Sequence, residues 1–412
     1  MALRRLLLGL PAAVAGSFRR SLATATSQPP WAMMSVLGEA VEAPSVDVRL
    51  AEPPHVSEIC VPEHLIKTRG IPDPASGVLQ DIRGGIRAVS GDGLLLLSYV
   101  DLRFTAPIGG EQEPTRLDRA HVPSVTRFVC NPVTRELSRL PDSICTPTGD
   151  VLCDRHMSII TQDDRGHGPP DRFAVAVLQG NMMIRFLSET GEWEIVEVSP
   201  CRLPLARRMQ LYQGAQAFGG RLWWVDVTWG AISADPFSDR PELSFVQLPK
   251  SSVLPAGAED EAPVSYRRVG VSEGRLRYVE VSQEEPFLLS SFVLDEEEGY
   301  WMLEHRVVLN KIWGPIMWIP LQMKGTTSIV LIHPLNANIV YLMVMSQVVV
   351  VDMEEEEVIE SCQYEGDDAP CIPCVLPSWL GSSRIPSSGK KDVEKSNTLA
   401  DVLVRSSGHY KR

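Results

Sequence analysis

The sequence predicts an all-β fold, a β-propeller of six blades within a range of five to seven. A glycine turn followed by an apolar strand occurs at Gly219–Val227 and again at Glu273–Val281, with a looser copy at Gly91–Val100. Two strands around a tight turn also recur, with turn residues at positions 131, 189, 235, 295 and 352. Repetition at roughly 55 residues indicates equivalent small sheets, which bury both faces only by stacking in a ring.

The apolar strands after the glycine turns predict how this ring is packed. They carry Trp223, Trp224 and Tyr278, which we interpret as filling the space between blades rather than stacking on a ligand. A β-sandwich would place its turns closer together, without a period of this length. Long amphipathic helical periodicity is nearly absent, which also favours sheets.

Composition shifts divide the chain into four segments. The first, 1–27, reads as a transit peptide, and 28–54 reads as a proline-rich linker and leading edge. The strand-rich body covers 55–380, and 381–412 forms a basic tail that we expect to be disordered.

The leader predicts import into an organelle. It contains Arg4, Arg5, Arg19 and Arg20 among leucine, alanine and serine, with no acidic residue. This composition favours the mitochondrion over the chloroplast. A secretory signal and an uncleaved cytosolic extension are the alternatives, and the second arginine pair argues against secretion.

Charge and cysteine content limit the classes of partner and the compartments that we expect. The net charge is −13 although both termini are basic, so the body is strongly acidic and duplex nucleic acid is not expected as a partner. No uninterrupted apolar stretch is long enough to predict a transmembrane segment. Eight scattered cysteines suit a reducing compartment rather than a disulfide framework. We expect a monomer.

Several segments resemble one known family. The segments Pro30–Met34, Asp47–Pro54, Cys130–Pro132, Gly219–Asp226 and Ser291–Asp295 resemble a plant family, expanded in grasses, that carries the domain of unknown function 1618. The resemblance covers roughly residues 30–380. The Asn-Pro hairpin is also similar to F-box-associated, kelch-like propeller regions, but the leader stands where an F-box would precede the propeller. The resemblance implies a propeller fold and no particular chemistry.

Cysteines form the sharpest local motif. Cys371 and Cys374 have a spacing that can chelate zinc or cycle as a dithiol, and Cys362 is the one further ligand nearby. Prolines at 370, 373 and 377 argue against the helix that a redox motif needs. We therefore treat these three residues as weak metal candidates and favour ordinary loop cysteines.

Three acidic residues end the repeated strands at matching positions: Asp101, Asp226 and Glu280. They could converge in the channel and hold a metal ion for a hydrolase or isomerase. The favoured interpretation is that they are solvated charges at strand edges. No catalytic residue, cofactor-binding residue or cofactor is predicted.

The function hypothesis that follows is a non-enzymatic scaffold. We expect it to bind a protein or peptide partner on one rim of the propeller. The alternatives are the channel hydrolase or isomerase and, more weakly, a substrate adaptor in protein turnover. The glutamate runs 296–298 and 354–357 fit solvated turns, with a docking face for a basic partner as the other interpretation.

Overall fold

The architecture was established from a computed structural model. It describes residues 28–68, 70, 78–105, 116–117, 123–144, 154–164, 168–201, 203, 207–211, 213–255, 265–313, 327–364 and 370–387. The predicted transit peptide, 1–27, lies outside these residues, as does most of the predicted tail.

The strands form six sheets. The closing sheet contains β1 (Trp31–Ser35), β2 (Glu39–Val41), β3 (Asp47–Arg49), β4 (Val56–Pro62) and, from the other end of the chain, β26 (Cys371–Val375). Blade 1 contains β5 (Val78–Val89), β6 (Leu95–Thr105), β7 (Arg116–Leu117), β8 (Ser124–Cys130) and β9 (Leu137–Arg139). Blade 2 contains β10 (Ser158–Gln162), β11 (Arg172–Gln179), β12 (Met182–Leu187) and β13 (Glu192–Glu197).

The remaining three blades have the same pattern of four strands. Blade 3 contains β14 (Gln216–Phe218), β15 (Arg221–Asp226), β16 (Gly230–Ala234) and β17 (Ser244–Gln247). Blade 4 contains β18 (Arg267–Ser272), β19 (Arg275–Val281), β20 (Leu288–Asp295) and β21 (Tyr300–Val308). Blade 5 contains β22 (Thr327–Ile332), β23 (Ile339–Val344), β24 (Gln347–Asp352) and β25 (Glu357–Gln363).

The sheets are arranged as a β-propeller. Within each blade the strands pair antiparallel in chain order, except that β6 of blade 1 pairs with both β7 and β8, and the first strand lies innermost. The inner strands contact one another in the order β5, β10, β14, β18, β22 and β26, and β26 returns to β5. The predicted propeller is therefore confirmed, with five regular blades inside the predicted range and the closing sheet in a sixth place.

The closing sheet joins the two ends of the propeller. β1 pairs antiparallel with β26, from Trp31 opposite Val375 to Ser35 opposite Cys371. β1 also pairs parallel with β4. Because strands from both ends of the chain form this one sheet, the ring closes without a gap. Because β1, β2 and β3 lie before residue 55, the body begins earlier than the predicted linker boundary allowed.

The tail boundary also moves. Residues 381–387 were assigned to a disordered tail, but they lie against blade 1. The Ile385 side chain is buried, and its backbone N–H donates to the Glu136 carboxylate at 3.0 Å. Apolar burial and this hydrogen bond hold the segment in place, although its serine-rich composition gave no sign of it.

The glycine turns have the backbone geometry that a two-residue hairpin needs. Gly219 and Gly220 have φ of 58° and 70°, and Glu273 and Gly274 have φ of 49° and 67°. Positive φ at both central residues defines the type I′ turn, whose twist matches that of the flanking strands. The recurring sequence motif therefore corresponds to one recurring turn.

The second strand of each blade is buried on both faces between neighbouring blades. Trp224 and Tyr278 are almost fully buried, and Trp224 Nε1 donates to the His156 carbonyl before blade 2 at 2.9 Å. Trp223 packs beside Phe218. These aromatic residues fill the space between blades, as predicted.

Helix is confined to short segments in the part of the chain described. An α-helical turn covers Leu309–Ile312, and 3-10 turns cover Glu63–Leu65 and Ser378–Gly381. No helix in these residues has the length and apolarity needed to span a membrane.

The two faces of the ring differ. Strands alternate in direction, so the connections between consecutive sheets open on one face, here called the loop face. Their described parts are residues 63–68, 70, 140–144, 154–157, 198–201, 203, 207–211, 213–215, 248–255, 265–266, 309–313, 364 and 370. The hairpin turns after the first and third strands of each blade form the opposite turn face. Its glutamate runs are hairpin turns capped by Asp295 and Asp352, whose carboxylates accept backbone N–H groups.

Candidate functional site

The loop face is the candidate site because it combines long connections with exposed apolar side chains. Leu79 is 56% exposed, Ile144 49%, Leu203 39% and Met345 68%. Leu79 begins β5, Ile144 and Leu203 lie in connections between blades, and Met345 lies in the turn between β23 and β24. Large exposed apolar residues at the rim of a rigid scaffold are typical of protein-binding surfaces.

Asp226 anchors one of these connections. It ends β15 and is fully buried. Its carboxylate accepts the Gln210 backbone N–H at 2.9 Å and the Thr228 backbone N–H at 2.9 Å, and it pairs with Arg207 at 3.4 Å. Gln210 and Arg207 belong to the connection that enters blade 3. The carboxylate therefore ties that connection to the blade.

Arg207 extends the same anchor. Its guanidinium lies over the Trp229 ring, 4.9 Å from the centroid, and donates to the Leu254 carbonyl at 2.9 Å. It also donates to the Thr228 hydroxyl. Leu254 belongs to the next connection along the chain, so one side chain joins two of the segments that build the loop face.

Glu280 has the equivalent role in blade 4. It is partly buried near the end of β19 and accepts hydrogen bonds from the Ser252 hydroxyl at 2.9 Å and the Tyr278 hydroxyl at 2.7 Å. Burial first, and the Glu280 charge second, raise the pKa of Tyr278 well above its ordinary value. The Tyr278 hydroxyl therefore remains a proton donor to the carboxylate.

Arg267 completes the junction between blades 3 and 4. It lies 3.7 Å from Glu280 and donates to the Val227 carbonyl at 3.1 Å and the Ser252 carbonyl at 2.6 Å. A buried guanidinium with a carboxylate and two carbonyl partners is a fixed structural element.

Asp101 is also buried, and it accepts a hydrogen bond from the Gln80 side chain at 2.8 Å. The interpretation of Asp101 and Asp226 as solvated edge charges is therefore wrong, because both residues are buried. Glu280 is partly buried and bonded to Ser252 and Tyr278, so it is not a freely solvated charge either. Asp226 and Glu280 are paired with separate arginines. Among the residues that the structure describes, no group of three His, Cys, Asp or Glu side chains could hold a metal ion.

The structure separates the cysteine pair. Cys371 and Cys374 lie in β26 rather than in a loop, and side chains three apart on a strand point to opposite faces. Cys371 packs with Trp31 and Tyr341, whereas Cys374 packs in the core of blade 1. Burial raises the pKa of both thiols. They cannot chelate one ion together.

Cys362, the third weak metal candidate, lies in β25 and is partly buried beside the core that contains Cys371. A strand at the outside of blade 5 supplies it, so it does not join Cys374 either.

One buried charge cluster had no sequence signal. Asp154 lies in the connection from blade 1 to blade 2 and is buried. It pairs with Arg87 at 2.9 Å and Arg127 at 3.0 Å, which come from β5 and β8. The cluster holds the incoming connection against blade 1, and only the three-dimensional proximity of distant strands reveals it.

The central channel contains a second arginine of blade 4. Arg268 Nη1 donates to the Cys371 carbonyl of β26 at 3.2 Å. Beside it, the Gln213 side chain accepts the Val269 backbone N–H at 3.0 Å and donates to the Val269 carbonyl. Gln213 therefore caps the free edge of β18, and Arg268 extends past it into the channel.

Comparison with known proteins gives a match to a family model over part of the chain and distant structural similarities. Residues 224–359, about a third of the chain, match the family model described as protein of unknown function (DUF1618). These residues run from β15 to β25, the part of the ring that contains Asp226 and Glu280. No curated protein sequence matches the chain.

Solved structures with similar chain coverage are remote in sequence. A periplasmic gluconolactonase of Pseudomonas aeruginosa is 10% identical, covers 84% of this chain and 99% of its own, and has a TM-score of 0.37. A putative 6-phosphogluconolactonase of Bacteroides fragilis is 9% identical, with 82% and 96% coverage and a TM-score of 0.30. One from Bacteroides uniformis is 11% identical, with 84% and 97% coverage and a TM-score of 0.30. With such scores these similarities support no inference about chemistry.

Proposed function

We propose that this chain is a non-enzymatic β-propeller scaffold that binds a protein or peptide partner through its loop face. The observation that carries the proposal is the placement of Leu79, Ile144, Leu203 and Met345, all exposed on that face. Burying such side chains against a partner supplies most of the free energy of a protein interface.

Rigid anchoring supports the same proposal. Asp226 and Glu280 hold the connections on either side of blade 3 through buried hydrogen bonds. A surface that is already ordered loses little conformational entropy when a partner binds. The buried carboxylates then serve recognition indirectly, by fixing the segments that make the contacts.

The proposal includes a lineage and a compartment. The family match at residues 224–359 supports membership of the plant DUF1618 family across roughly residues 30–380. The arginine-rich leader at 1–27 supports import into the mitochondrion, with the protein acting there as a monomer.

The test is proximity labelling with the full chain in its native cells, with and without residues 1–27. A loop-face variant combines Leu203→Asp and Met345→Asp, and a matched turn-face control combines Leu335→Asp and Tyr300→Asp, which are 43% and 51% exposed. Since each lost apolar contact weakens binding by about 1–2 kcal/mol, or roughly 5- to 30-fold, specific partners should disappear only from the loop-face variant.

Equal labelling by both variants would contradict binding at the loop face. Labelling of the same proteins with and without 1–27 would contradict organelle import. Catalytic turnover of a substrate by the purified protein would contradict the non-enzymatic role.

A further inference from the structure

The two consecutive arginines of β18 point in different directions. Arg267 faces blade 3, where it donates to the Val227 and Ser252 carbonyls. Arg268 instead reaches the Cys371 carbonyl of β26. In the ring order, β26 follows β22, which itself follows β18. Arg268 therefore passes the inner strand of blade 5, and its guanidinium lies in the central channel near the loop face.

Arg268 differs from the other buried arginines in its partners. Arg207 and Arg267 each pair with a carboxylate, at 3.4 Å and 3.7 Å. Within the described residues, Arg268 forms no ion pair, and its one hydrogen bond, to the Cys371 carbonyl, uses one of five N–H donors. The residue as a whole is partly exposed.

We propose that Arg268 forms an anion-binding site in the channel that takes a small carboxylate or phosphate. A guanidinium presents parallel N–H groups that match two oxygens of either anion. This inference goes beyond partner binding at the rim, and neither proposal depends on the other.

The surroundings favour an anion over water. Burial lowers the pKa of Arg268 to about 10, so the cation is poorly solvated where it stands. An anion would restore the electrostatic stabilisation that burial removes. Asp226 and Glu280, the carboxylates at the junction of blades 3 and 4, pair with Arg207 and Arg267.

The neighbouring polar groups shape the site. The Gln213 amide is already engaged with Val269 on both its oxygen and nitrogen. On the other side, the Tyr364 hydroxyl lies 3.6 Å from Cys371 Sγ, next to the carbonyl that holds Arg268. Arg268 therefore supplies the charge of the proposed site.

The test is calorimetric titration of the full chain with inorganic phosphate and, separately, with sodium acetate at constant ionic strength. The variants are Arg268→Gln and, as matched control, Arg275→Gln, since Arg275 is an exposed arginine of the same blade at the turn face. Loss of a charged bidentate contact should weaken binding about 10- to 100-fold in Arg268→Gln and leave Arg275→Gln unchanged. The anion that binds more tightly identifies the class of ligand.

A second measurement uses the unsubstituted protein, in case Arg268→Gln does not fold. Phenylglyoxal reacts with arginine side chains, and peptide mass spectrometry measures the rate at each one. At ten times the dissociation constant, phosphate or acetate should slow modification of Arg268 about tenfold and leave Arg275 unaffected. Equal affinity in both variants, no binding of either anion, or an unprotected Arg268 would overturn the proposal.

Discussion

The Asn131 side-chain amide donates a hydrogen bond of 2.9 Å to the carbonyl of Leu380. This bond joins the turn between β8 and β9 of blade 1 to the C-terminal segment. The same amide lies 3.4 Å from the Ser383 carbonyl. On its other side, the Asn131 oxygen accepts the backbone N–H groups of Val133 and Thr134 at 3.0 and 3.2 Å. One buried side chain therefore shapes its own turn and holds the chain end.

This relationship adds a second closure to the ring. The first is the pairing of β1 with β26, and the second is the segment after β26, where Leu380 and Ile385 pack into the core of blade 1. The first closure lies within the closing sheet, and the second joins the chain end after that sheet to its neighbour, blade 1. The stability of the ring should depend strongly on contacts made by residues 376–387.

Asn131→Ala should therefore destabilise the protein by about 2–3 kcal/mol, because it leaves buried backbone groups of the turn and of Leu380 without partners. The measurement is the free energy of unfolding in urea. The control is Asn336→Ala in the partly exposed turn of blade 5, where one Asn338 backbone N–H is capped at 3.0 Å. The control should lose about 0.5–1 kcal/mol, and equal losses in both variants would contradict the second closure.

Gly93→Ala tests the close approach at the same junction. Gly93 has φ of +95°, and a Cβ there would lie 2.2 Å from the Val375 carbonyl oxygen and 2.8 Å from Leu380 Cδ1. Because the backbone cannot move aside as a flexible side chain does, the substitution should lower the free energy of unfolding by about 3 kcal/mol or more. Thermal and urea unfolding would measure it.

The matched control for that substitution is Gly220→Ala. Gly220 has φ of +70° and nothing within 4 Å of the added methyl group, so the substitution introduces only backbone strain. A loss of about 1–2 kcal/mol is expected. If Gly93→Ala cost no more than Gly220→Ala, the contact between blade 1 and β26 would be looser than described.

The sequence predicts the ring because local patterns repeat. The turns at Gly219 and Glu273 precede strands whose apolar residues must be buried on both faces. The order of residues along the chain is enough to predict this burial. It does not predict β1, since a strand of five residues that completes a sheet with β26 has no local repeat to identify it.

The site is predicted less well, for a physical reason. The sequence places Asp101, Asp226 and Glu280 at matching positions, but the partners that enclose Asp226 and Glu280 come from the connections between blades. Asp154 and Arg268 belong to no motif at all, because their partners lie on other sheets of the ring. Long-range pairing of this kind is not encoded in the spacing of residues along one strand.

Asp226→Ala tests the anchoring of the loop face. The substitution removes the acceptor of the Gln210 and Thr228 N–H groups and leaves Arg207 without its carboxylate. Removing one partner of a buried ion pair costs about 3–5 kcal/mol. Urea unfolding gives the loss, and hydrogen exchange at Gln210 should rise as the connection loosens.

The control for Asp226→Ala is Asp81→Ala. Asp81 pairs with Arg83, and the two side chains are 39% and 69% exposed. Such a surface pair contributes about 0–1 kcal/mol. Unchanged hydrogen exchange at Gln210 in Asp226→Ala would show that the connection is held by other contacts.

His333 should make stability depend on pH. Its Nδ1 accepts the Leu335 backbone N–H at 3.0 Å, and its ring lies 4.7 Å from that of Trp31. Burial lowers the pKa of His333, against smaller opposing effects of a backbone hydrogen bond and of Glu273. The folded protein thus favours the neutral imidazole. The stabilisation that the neutral imidazole contributes is complete above the unfolded pKa of about 6.5. It is lost as the pH falls through that value towards the folded pKa.

His333→Asn keeps an acceptor for the Leu335 N–H without a titrating group. The free energy of unfolding should therefore fall more steeply between pH 7 and pH 5 in the natural protein than in His333→Asn. Burial also lowers the pKa of His156. Since His156 is present in both proteins, its effect on the pH dependence cancels when the two curves are compared. Parallel curves for the natural protein and His333→Asn would show that the turn of blade 5 accommodates the imidazolium.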